Sequence, residues 1–128
     1  MSAKYFIILG SLALVIAFSS GAWAESISPA QEQEFSDAKA SIKDASSMQA
    51  EQFTPKLMQQ AQEFIKTVAK ARQSQDALLF SRASRLARTY AELAKASAEL
   101  QIDVGKLAAA KESLDKIKSE IEHLKKAP

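Results

Sequence analysis

The chain has 128 residues, 47% of them hydrophobic and 25% charged, and a formal net charge of +2. That length gives one domain once a targeting segment is set aside, and not two. With no cysteine and one histidine, it has no disulfide framework, no zinc site of the Cys/His type and no c-type haem attachment motif.

The N-terminus has the layout of a secretory signal peptide. Lys4 supplies a short positive region, Phe6 to Phe18 is an apolar run broken only by Gly10 and Ser11, and Ala22-Trp23-Ala24 is a small-x-small cleavage site. The run falls short of the roughly 20 apolar residues of a spanning helix. Cleavage is therefore expected after Ala24 (segment 1–24), leaving residues 25–128 as one soluble, exported domain. Glu25, not cysteine, follows the cut, so no lipoprotein-type anchor is expected, and no second apolar span follows. The expected compartment is the periplasm, with secretion beyond it as the alternative.

Charge is unevenly spread along the exported part. Glu25 to Glu51 holds six acids and two bases, Gln52 to Tyr90 seven bases and two acids, and Ala91 to Pro128 seven of each. Such blocks mark either an external anionic partner or an acidic first helix packed beside basic later ones. The near cancellation within one small domain favours the second.

From residue 29 onward the pattern is helical, and the expected fold is all-α: a small antiparallel bundle of three to four helices, the last long and coiled-coil-like. The helices are placed at about 29–46, 55–72, 75–104 and 106–125, the last two separate or continuous through Gly105. Ser28-Pro29-Ala30-Gln31 offers a cap, a proline for the first turn and a capping-box partner. Phe35, Ala38, Ile42 and Ala45 share one face of the first helix. Ser46 to Gln52 reads as a loop. Thr54-Pro55 repeats the start signal, and Leu57, Ala61, Phe64, Val68 and Ala71, widened by Met58 and Ile65, face inward. Arg72 to Asp76 reads as a turn with Ser74 or Asp76 as the next cap.

In the third segment Leu79, Ala83, Leu86, Tyr90, Leu93, Ser97, Leu100, Val104 and Leu107 step by 4 and 3, with Phe80, Ala87 and Ala94 beside them. This line is expected to be the core face, broad enough for more than one neighbour. Arg82, Arg85 and Arg88 fall off it, facing water or an anionic partner; without interleaved aromatic residues they give no nucleic-acid signature. Beyond Leu107 a short step to Ala110 shifts the register, and Leu114, Ile117, Ile121 and Leu124 continue as a narrow seam with charged flanks, of coiled-coil type. Glu112 with Lys116, and Glu122 with Lys126, are expected i,i+4 pairs.

Residues for chemistry are scarce. A nucleophilic triad needs a positioned base, usually histidine, and His123 is the single histidine, near the chain end. With one glycine left after residue 24, no glycine-rich phosphate loop is possible. Glu120-x-x-His123 has the spacing of a di-iron helix motif, but such sites need two copies and further inward glutamates, and Ile121 and Leu124 claim the inner face. The expectation is no enzyme activity, no cofactor and no metal.

Several features together resemble an alanine-rich helical domain of unknown function found in bacterial envelope proteins, often lipoproteins or proteins with an OmpA-like domain following. They are Ala38 and Ala45, Phe53-Thr54-Pro55-x-Leu57-x-x-Ala61, Ala69-x-Ala71, Asp76, and Ala83-x-x-Leu86-Ala87-x-x-Tyr90-Ala91. The likeness runs from Phe35 to about Leu100 and implies an envelope location and a helical fold, with no catalytic residues to carry over. The chain departs from the usual context in having neither the lipoprotein cysteine nor an OmpA-like domain.

Two functions follow. The first is a non-enzymatic envelope module that binds a protein partner or itself through its C-terminal helix, at Leu114, Ile117, Ile121 and Leu124. The alternative is a periplasmic chaperone holding unfolded envelope clients between basic, alanine-rich arms. Nucleic acid is not an expected partner; contact with peptidoglycan or a membrane surface stays open.

Overall fold

The computed structural model describes residues 26–128. The expected signal segment, 1–24, and the expected cleavage site after Ala24 lie outside the described residues. Four helices follow one another: α1 (Pro29–Ser47), α2 (Ala50–Phe53), α3 (Pro55–Gln73) and α4 (Ala77–Lys126). Together they make an all-α bundle with a long last helix. Among the described residues no helix is long and apolar enough to cross a membrane.

Each helix start has a local cause. The Ser28 hydroxyl accepts from the Gln31 amide and the Gln31 side chain accepts from the Ser28 amide at 2.8 Å, a closed capping box ahead of Pro29. Asp76 caps α4 by accepting from the Leu79 amide at 2.8 Å. Thr54 does not cap α3. Its hydroxyl points back to the carbonyl of Ala50 at 3.0 Å and across to that of Ala94 at 3.3 Å, so it ties the α2–α3 corner to α4. The expected loop at Ser46–Gln52 is in part the short helix α2, entered through Gln49 at φ 57°. The α3–α4 turn likewise uses a left-handed residue, Gln75. Neither position is a glycine, so neither announces itself in the sequence.

The third and fourth expected helices, placed at 75–104 and 106–125, are one helix that begins at Ala77. Gly105 sits in its interior, where an added Cβ would meet nothing within 4 Å. α4 is therefore about 75 Å long at 1.5 Å per residue, far longer than its partners. α1 runs parallel to it, as the pairs Gln31–Ala77, Glu34–Ser81 and Arg88–Asp37 advance together. α3 runs antiparallel, with Phe64 on Tyr90 and Thr54 on Ala94. Both pack along the first half of α4 and touch each other little. The last cross-helix bond is Gln101 to the Phe53 carbonyl. From Asp103 to the C-terminus every residue is exposed, a rod projecting beyond the bundle.

The core corrects the expectation for α4. The line of leucines is not its buried face. The buried face is Ala77, Phe80, Ser84, Ala87, Ala91, Ala94 and Ala98, a second row stepping 3 and 4, with Ser81 and Ala83 buried at its edges; Ala83 is the one member of the leucine line that joins the core. Large side chains of α1 and α3 lie over these alanines: Ile42, Leu57 and Met58 at one end, Phe35, Phe64 and Val68 at the other. Small residues on the shared helix let two neighbours seat their bulk close to its backbone. Leucines in that row would hold both helices off. The one buried polar group of the row, the Ser84 hydroxyl, donates to the Phe80 carbonyl at 2.8 Å.

Candidate interaction surface

With the alanine row turned inward, the leucines lie on the flank of α4 beside α3. Leu79, Leu86, Leu93, Leu100, Leu107, Leu114 and Ile121 are each seven residues apart, so they form one continuous row along the helix. A second row accompanies it: Ala83, Tyr90, Ser97 and Val104, then Ala110, Ile117 and Leu124 after the register shift. Of the large hydrophobic residues exposed among the described residues, all but Leu78 belong to these two rows. Exposure rises from 39% at Leu79 beside the bundle to 65% at Leu100, and lies between 46% and 73% on the rod. Tyr90 is held in place by Phe64, ring centroids 5.5 Å apart and nearly parallel.

The expected partner-binding residues Leu114, Ile117, Ile121 and Leu124 are thus brought together on one side of the rod, with none of the other described helices packed over them. What the sequence reading missed is that the surface does not begin at Ala110 but runs unbroken from Leu79. The unbroken seven-residue spacing signals that continuity. The parallel alanine row was the clue that the leucines belonged outside.

The arginine face is largely committed within the chain. Arg85 pairs with Glu34 at 2.8 Å, and Arg88 with Glu92 at 2.6 Å and Asp37 at 3.8 Å. Arg72 of α3 reaches Glu32 at 2.6 Å and lies over the Phe35 and Phe80 rings. The acidic first helix therefore packs beside basic later ones. Arg82 is exposed and makes no ion pair among the described residues. Glu34 accepts from the Ser81 hydroxyl and from Arg85, and these two contacts, the serine's first, hold its carboxyl below the ordinary carboxylate range. Glu112 and Lys116 meet at 3.1 Å on the rod. Glu122 and Lys126 are not among the ion pairs of the described residues.

Two concave places remain. A groove of about 320 Å³ lies between α1 and α3, lined by Lys39, Ile42, Gln62, Ile65 and Lys66. On the rod, Lys116, Ser119, Glu120 and His123 bound a shallow hollow. This places Glu120 and His123 on a face shared with a lysine, and no group of three or more potential metal ligands occurs among the described residues. No protein family, curated protein or solved structure matches the chain.

Proposed function

We propose that the protein is a non-enzymatic, exported module of the bacterial envelope that binds a protein partner through the apolar seam of α4, with Leu114, Ile117, Ile121 and Leu124 at its bare end. The observation that carries this reading is the seam itself. Its leucine row runs over nearly the whole helix, stays at least 39% exposed, and continues on a rod that takes no part in the bundle. A helix that is apolar on an uncovered stripe is stabilised by whatever covers that stripe. The signal-peptide layout and the resemblance to envelope domains supply the compartment.

The test is a crosslinked pull-down from cell-envelope extract, comparing the exported protein with an Ile117→Lys/Ile121→Lys variant. Lysine is a good helix former, and neither position touches the bundle, so the fold is retained. One dominant partner at fixed stoichiometry, the chain's own copy included, is expected with the native protein and lost with the variant. An identical set from both would overturn the reading. Many unrelated outer-membrane precursors in small amounts would make the protein a client-holding chaperone instead.

A further inference from the structure

We propose that the seam is covered by α4 of a second copy lying antiparallel, with the two-fold axis beside Leu100, so that each bare rod packs along the leucine flank of its partner's bundle. The proposal rests on the seam being a protein-binding surface and names its occupant. Three observations lead to it.

The first is the order of large and small side chains. Antiparallel about Leu100, each seam residue meets the one equally far on the other side. Tyr90 then lies against the partner's Ala110, and Ser97 comes within one position of the partner's Val104; Ala83, buried against Val68 and Ala71 of its own chain, takes no part. Large faces small in every mixed layer, the arrangement that fills a helix–helix seam. Leucine-on-leucine layers such as Leu86 with the partner's Leu114 complete it. In a parallel, in-register pair every residue would instead meet its own copy. Tyr90 on Tyr90 would overfill one layer, while Ser97 and Ala110 would each leave a void.

The second is the register shift. Before Leu100 the leucine row is followed by its companion row four residues on, and after Leu107 three residues on. A helix read backwards inverts those two steps. A seam that changes step near its middle therefore presents matching steps to itself when reversed about that point.

The third is charge and extent. On the edge away from α3, Arg82 comes beside the partner's Glu120, twice per pair, which supplies the counter-charge Arg82 lacks among the described residues. Ten seam side chains per copy are exposed by 39–73%. At roughly 60–120 Å² per fully buried aliphatic side chain, the pair removes on the order of 700–1,300 Å² of apolar surface from water, and the flanks add to this. That reaches the roughly 1,000 Å² expected of a specific interface. A membrane surface fits less well, because the rod's five acids nearly cancel its six lysines, where an interfacial helix carries a strongly basic polar face.

The absence of native cysteine makes the orientation directly testable. Leu86→Cys and Leu114→Cys are made in separate chains, exported, purified, and oxidised alone and mixed. Antiparallel pairing predicts a crosslinked dimer from the mixture and little from either alone, since identical positions would lie about 42 Å apart. In addition, Leu100→Lys, at the axis, should weaken association at least about a hundredfold by removing two leucines from one layer. Leu86→Cys crosslinking to itself would overturn the orientation. A native protein that stays monomeric at micromolar concentration would overturn self-pairing. If the pull-down still depended on Ile117 and Ile121 in that case, the seam would remain a partner site for another protein. If it did not, the functional reading would fail as well.

Discussion

Glu34 joins two helices through one carboxylate. Lying on α1, it accepts from the Ser81 hydroxyl at 2.5 Å and from Arg85 at 2.9 Å, both on α4. Both donors favour the charged form, so the folded chain binds a proton at Glu34 less readily than the unfolded chain does. The sign of the stability effect follows. The contribution is fully present above the ordinary value of 4.5 and is lost as pH falls through the lower folded-state value. Glu34→Gln should therefore lower stability by about 1 kcal/mol at neutral pH, a figure kept small because the site is partly solvated. In strong acid the variant and the native protein should unfold at the same denaturant concentration. Urea titrations at the two pH values read the difference, and a gap that persisted in acid would show that Glu34 acts through packing rather than charge.

At the scale of one element, α4 carries two stripes with different occupants. One is made of alanines and is filled by this chain. The other is made of leucines and is filled by none of it. Within the bundle, size matters more than hydrophobicity. Ala91→Leu pushes a large side chain into a row already covered by α1 and α3 and should cost about 2 kcal/mol or more. Leu93→Ala, at a site half open to water, should cost no more than about 1 kcal/mol in the monomer. Chemical denaturation in the Leu100→Lys background, where pairing is suppressed, makes the comparison. If Leu93→Ala were the more damaging, the leucine row would be the core after all. The same contrast explains what was legible beforehand. The inner faces of α1 and α3 follow from their sequences because their large residues and their contact stripe coincide, as at Phe35, Ile42, Phe64 and Val68. In α4 they do not coincide. A reading that ranks leucine above alanine assigns the core to the wrong stripe, although both repeat at the same period. The rod seam from Leu114 to Leu124 was legible because no competing stripe exists there. Helix α2 was not, because four residues are too few to show a period and Gln49 gives no turn signal.

At the scale of the whole molecule, α4 is divided into two halves with different sources of stability. Up to Gln101 it is held by α1, α2 and α3. Beyond, the rod has only its own hydrogen bonds, its charge pairs and the run Ala108-Ala109-Ala110 to keep it helical. It also carries Gly105, which is about 1 kcal/mol less favourable than alanine in a helix interior. Most helical stability in proteins comes from packing of an apolar face, which the rod lacks, and the rod escapes the cost of nucleation only because it grows from a helix already formed. Two consequences follow for a chain ended after Ile102. Its bundle should unfold at the same denaturant concentration as the full chain when both are dilute and monomeric, since the missing residues touch none of it. At high concentration only the full chain should gain protection, and hydrogen exchange locates the gain. Amides from Asp103 to Lys126 should exchange fast in dilute solution and slow down as pairs form. Rod amides that stayed protected at every dilution would mean that the rod is stable by itself and needs no partner, which would remove the physical reason for covering the seam.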